Sequence, residues 1–149
     1  MNKKELSSKI RDLLIVREDD GSYYLFGKFC IIPDQEGNYH LVDMFDSEKI
    51  HSFTSLKTAV TYCVFEKNKK YKELRRIIEL DDIIGSLESM IEQHSRIVEK
   101  TEDFDYKSIV QAKLLEEKLK KRQLTTEINS YIALSKYWQT KQFAENEAR

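Results

Sequence analysis

The chain has 149 residues and a mass of 17.7 kDa, enough for one domain, or for a small domain with an extended appendage. Its 25 Lys and Arg against 26 Asp and Glu give a net charge of -1 and a pI near 6.3, which excludes a globally basic protein that coats nucleic acid. At 34% charged, 40% hydrophobic and 11% aromatic residues it is polar for a compact globule yet too rich in periodic apolar residues for disorder, a balance that long exposed helices satisfy.

Punctuation residues point the same way. Pro33 is the single proline, and from residue 38 onward the chain holds one glycine, Gly85, so its second half has almost no helix breakers. No window approaches eighteen consecutive apolar residues, and the first residues, MNKKELSSKIRDLLIV, lack the apolar run of a secretory signal. These features predict a protein without membrane association, in the cytoplasm. Cys30 and Cys63 lie 33 residues apart in apolar surroundings and read as buried core thiols. His40, His51 and His94 have no metal-ligand spacing, so neither a metal nor a cofactor is expected.

In chain order, residues 3–14 place Leu6, Ile10, Leu13 and Leu14 at helical spacing and pass into an extended 14–17. Asp19, Asp20 and Gly21 supply a turn. Residues 23–32 (YYLFGKFCII) read as one strand with a bulge at Gly27, ended by Pro33. Residues 39–45 alternate, with Tyr39 and Leu41 on one side, and 49–53 form a further strand with Ile50 inward. Connections this short allow only an antiparallel meander of three or four strands. Thr54 or Ser55 then caps a helix over 56–66 whose Leu56, Ala59, Val60, Cys63 and Val64 cover one sheet face. Phe26, Phe29, Tyr39, Phe53, Tyr62 and Phe65 would supply most of a thin core, supported by Leu6 and Ile10 or by the helical half.

The second half changes period. Ile77, Leu80, Ile84, Leu87, Ile91 and Val98 recur three and four apart, with His94 at the missing step, which is a heptad seam over 71–101. Asp103 or Asp105 caps the next helix, from Tyr106 to about Phe143. There Ala112, Leu115 and Leu119 are followed by Leu124, Ile128, Tyr131 and Trp138, and the five-residue step across KKRQ predicts that the seam changes face or splays there. A short polar link folds the two helices back as an antiparallel, coiled-coil-like hairpin, the alternative being one continuous rod. The hairpin sets Lys118, Lys120, Lys121 and Arg122 opposite Asp81, Asp82, Glu88 and Glu92. The expected fold class is therefore α+β. A small meander with a covering helix occupies 1–68, the hairpin 69–143 and a charged tail 144–149.

Residues 67–76 (KNKKYKELRR) carry six basic residues to one acidic. Lys67, Lys69, Lys70, Lys72, Arg75 and Arg76 are candidates for an acidic partner, set against a plain solvated junction. Tyr131, Tyr137 and Trp138 are candidates for an exposed interaction patch or for packing back on the β module. Gly85 inside a helix suggests that another element crosses there. Asp81-Asp82 and Glu116-Glu117 resemble solvated faces, and no GxGxxG, GxxxxGK, GxSxG or HExxH spacing occurs.

FGKF at 26–29, HSFTSLKTAVTYCVF at 51–65 and EINSYIALSKYWQ at 127–139 resemble, through scattered positions over most of the chain, a group of small proteins of myovirus-type phages of marine cyanobacteria. The resemblance implies a viral origin, as a virion component or a host-takeover accessory protein, and carries no catalytic or ligand residues. The sequence thus predicts a non-enzymatic structural or interaction protein that docks its hairpin on a protein partner or on copies of itself. A nucleic-acid accessory factor using 67–76 is the second expectation; no small-molecule substrate is expected.

Overall fold

The computed structural model describes residues 15–17 and 21–148. The amphipathic helix expected over 3–14 and the turn residues Asp19 and Asp20 lie outside the described residues. The β-branched and aromatic runs form β1 (Ile15–Arg17), β2 (Tyr23–Leu25), β3 (Phe29–Pro33), β4 (Tyr39–Asp43) and β5 (Glu48–Phe53). They make one antiparallel sheet in sequential order, a meander of five strands where three or four were expected.

The extra strand comes from residues 23–32, which are a hairpin and not one bulged strand. Phe26 and Gly27 both take left-handed conformations (φ 57° and 67°), and the Lys28 N–H donates to the Leu25 carbonyl at 3.1 Å, closing a tight turn. Phenylalanine rarely adopts positive φ, so the run carries little turn signal. Here Phe26 packs on the core with Lys67 Nζ 4.2 Å from its ring centroid, contacts that offset the strain. The next turn is built by Asp34, whose Oδ1 accepts the N–H groups of Glu36 and Asn38 at 2.9 Å. Its Oδ2 meets His40 Nε2 at 2.8 Å, while His40 Nδ1 lies 2.7 Å from Ser52 Oγ. One imidazole thus joins this turn to β5.

α1 (Leu56–Lys67) starts after Ser55, which has the extended backbone of an N-cap but makes no side-chain capping bond. Its apolar face lies on the sheet: Leu25, Phe29, Ile31, Leu41 and Phe53 meet Ala59, Val60, Cys63, Val64 and Phe65. Cys30 and Cys63 are buried as thiols, and burial pushes the Cys63 thiol well up from its ordinary value. α1 ends on paired capping bonds, Lys69 N–H to Glu66 O and Lys70 N–H to Phe65 O, with Lys69 left-handed at φ 59°. The chain turns there directly into α2 (Tyr71–Lys100).

α2 and α3 (Phe104–Ala148) form the expected antiparallel hairpin, about 45 and 68 Å long at 1.5 Å per residue. Asp103 caps α3 by accepting the Tyr106 N–H at 3.2 Å. Ile77 and Leu80 of α2 and Ile128 of α3 are buried in the same cluster as the sheet and α1. The helical half, therefore, completes the thin β core. Gly85 marks the expected crossing: a Cβ there would lie 3.2 Å from Thr54 Cγ2, in the β5–α1 turn.

The change of face predicted in α3 does not occur. Lys107, Val110, Leu114, Glu117, Lys121, Leu124, Ile128, Tyr131, Ser135 and Trp138, all buried or half-buried, keep an unbroken three-four rhythm, with Thr125, Glu127, Ile132 and Gln139 half-buried beside it. Ala112, Leu115 and Leu119 are exposed instead. The true seam holds Val110 and Leu114 beside the charged Lys107, Glu117 and Lys121.

Candidate functional site

Between Ile84 and Leu124 no described residue joins the main hydrophobic cluster, so this part of the hairpin is an arm held by its own two helices. Ile91, His94 and Val98 of α2 line its seam against Val110, Leu114, Glu117 and Lys121 of α3. Two polar contacts bind it: His94 Nδ1 lies 2.6 Å from Glu117 Oε1, and Lys121 Nζ lies 3.5 Å from Glu88 Oε1. Glu117 is buried. Of the opposed charges expected across the hairpin, the Lys121–Glu88 pair forms; Glu92 binds Arg96 of its own helix instead.

Charged groups share the seam with Leu87, Ile91, Val98, Val110 and Leu114, while other large apolar groups of the arm lie outside. Phe104 is 78% exposed, Leu115 61% and Leu119 52%, on the side of α3 away from its seam, and Ile109 is 61% exposed on a flank about 100° round the helix. At 100° per residue Phe104, Ser108, Ala112, Leu115 and Leu119 fall in one stripe, roughly opposite the seam. A run of large exposed apolar side chains on one face is the signature of a contact surface.

Two of the six basic residues at the α1–α2 corner are engaged within the chain. Lys67 sits over the Phe26 ring, and burial pulls its ammonium below the ordinary lysine value. Arg76 makes a two-pronged ion pair with Glu127, Nε to Oε2 at 2.6 Å and Nη2 to Oε1 at 2.7 Å, which raises the guanidinium and lowers the Glu127 carboxyl. Lys69, Lys70, Lys72 and Arg75 face solvent beside the exposed Tyr71. The aromatic set also divides. Tyr131 and Trp138 pack edge-on against Phe65, with centroids 5.5 and 4.9 Å away, whereas Tyr137 is exposed. A groove of about 220 Å³ between α1 and α3, lined by Leu56, Val60, Ile132 and Ser135, runs beside them.

Asp81 departs most from its expected solvated role. It is 4% exposed and accepts the Thr54 N–H (3.3 and 3.2 Å to its two oxygens) and the Thr54 hydroxyl (3.0 Å). Burial raises its carboxyl above the ordinary value, opposed by the Thr54 hydrogen bonds. Asp82 stays exposed and pairs with His51 Nε2 at 2.9 Å. His51, Asp81 and Asp82 thereby bring three metal-ligand atoms within 4.8 Å of one another, which histidine spacing alone did not suggest. Asp81's commitment to Thr54 gives this cluster a structural task, fixing the β5–α1 turn to α2.

No protein-family model matches the chain, and neither the curated proteins nor the solved structures include a significant match. Among the described residues, no helix is long and apolar enough to cross a membrane.

Proposed function

We propose that the protein is a non-enzymatic structural component that docks on a protein partner through the outer face of its helical arm, with the sheet and α1 as the anchoring body. The observation that carries this reading is that charged His94, Glu117 and Lys121 share the arm's seam while Phe104, Leu115 and Leu119 lie in solvent on one stripe. A free-standing arm gains more from apolar groups in its seam than on its surface, so their outward placement is explained by a second surface that covers them. The resemblance to phage proteins supports a virion as the assembly concerned. Mass spectrometry of purified virions should then find the chain in stoichiometric amounts, and its absence would sink the virion assignment.

Docking is tested by in-cell photo-crosslinking, with a benzophenone amino acid placed at Leu115 and, for comparison, at exposed Lys49 on β5. Discrete adducts from Leu115 but not Lys49 are expected. Adducts from neither, or equally from both, would overturn the reading. A phosphate-backbone contact through Lys69, Lys70, Lys72 and Arg75 is the weaker alternative, because four cations give a shallow, strongly salt-dependent attachment.

A further inference from the structure

We propose that a basic groove between α2 and α3, on one flank of the arm, binds the phosphate group of a small organic phosphate, a function separate from docking. The groove encloses about 410 Å³ and is lined by Ile91 of α2 and by Lys118, Lys121, Arg122, Thr125 and Thr126 of α3. That volume lies within the range of small-ligand sites and exceeds what a bare phosphate fills.

Helical spacing makes the cations converge. Lys118, Lys121, Arg122 and Thr125 stand at i, i+3, i+4 and i+7, so all four share one flank of α3. Like charges at these spacings destabilise a helix, and the chain offsets them only in part. Glu88 reaches Lys121 Nζ at 3.5 Å, whereas Glu92, one turn further along α2, is held by Arg96. Among the described residues, Lys118 and Arg122 form no ion pair. These two unanswered cations match the charge of about −2 that a phosphate monoester carries near neutral pH.

The groups are also of the right kind. Arg122 supplies a planar fork of N–H donors, Lys118 and Lys121 supply compact charges, and Thr125 adds a hydroxyl. Ile91 gives an apolar wall for the organic body that carries the phosphate. A nucleic-acid backbone fits less well, because the three cations span about 6 Å of helix, whereas attachment to a backbone draws on many phosphates.

Nuclear magnetic resonance titration of the full chain with adenosine 5′-monophosphate at low salt should shift the amides around Ile91 and residues 118–125. The dissociation constant is expected on the order of 0.1–1 mM, weakened about tenfold by high salt. Lys118→Gln with Arg122→Gln should weaken binding about tenfold and leave the helical circular dichroism unchanged, since both side chains are exposed. Lys113→Gln with Lys120→Gln takes the same charge from the other flank, where Lys120 borders Leu87 and Met90, and should leave binding within about twofold. Glu88→Gln frees Lys121 and should tighten binding about threefold.

No shifts at low salt, an equal loss in the two double variants, or inorganic phosphate bound as tightly as the nucleotide would each overturn the proposal. A DNA duplex bound by the same residues in preference to the nucleotide would assign the flank to nucleic acid and overturn it as well.

Discussion

Near the sheet the seam of the hairpin is mainly apolar, and toward the tip charged residues enter it while Phe104, Leu115 and Leu119 lie in solvent. Ile77, Leu80 and Ile128 are buried at the base, where they complete a core that the sheet and α1 leave thin. Along the arm, His94, Glu117 and Lys121 take the equivalent positions and leucines face outward. Two adjoining stretches of the same helices therefore answer different demands, burial against the chain's own sheet in one and, on the proposed docking role, presentation to another surface in the other.

The sharpest way to break the comparison is to attack the base. Phe65→Ala removes a fully buried ring that touches Tyr131 and Trp138, and should cost about 3–5 kcal/mol in urea unfolding. Asp81→Ala leaves the Thr54 N–H and hydroxyl without their acceptor and should cost about 1–3 kcal/mol by the same measurement. In the arm the sign inverts. His94→Leu with Glu117→Leu replaces a largely buried polar pair by apolar contact, and thermal denaturation should show a gain of about 1 kcal/mol.

A smaller effect probes where base and arm meet. Gly85→Ala gains about 1 kcal/mol in helix propensity, but its Cβ presses on a Thr54 side chain that Asp81 holds in place, so a net loss of about 1 kcal/mol is expected. Thr54→Ser removes the pressed methyl and keeps the hydroxyl. In that background Gly85→Ala should stabilise. The smallest effect is pH-dependent: Arg76 lowers the Glu127 carboxyl below its ordinary 4.5. Its stabilisation is present above that value and lost as pH falls through the lower folded value, so Glu127→Gln should flatten the acid limb of the stability profile.

The α2 seam was legible because Ile77, Leu80, Ile84, Leu87, Ile91 and Val98 are all apolar, and the meander was legible because its connections are too short for crossovers. The α3 seam was not. Glu117 and Lys121 hid it, while Ala112, Leu115 and Leu119 imitated one on the opposite face. The signal that locates it is the three-four rhythm counted back from Ile128 without regard to polarity, since it sets Glu117 beside the seam residue His94. The Phe26–Gly27 turn escaped because tertiary contacts, not local propensity, hold Phe26 left-handed. Asp81 escaped because its partner, Thr54, lies 27 residues away.

The packing of Phe65 against Tyr131 and Trp138 also sets an order of events during synthesis. A ribosome delivers the five strands and α1 well before Tyr131 and Trp138, which help close their core. Until then the part of this core that Ile77, Leu80, Ile128, Tyr131 and Trp138 cover stays open, and hairpin closure is the step that seals it. Truncation before Trp138 would thus leave Phe65 incompletely covered in the β half, however complete its own strands.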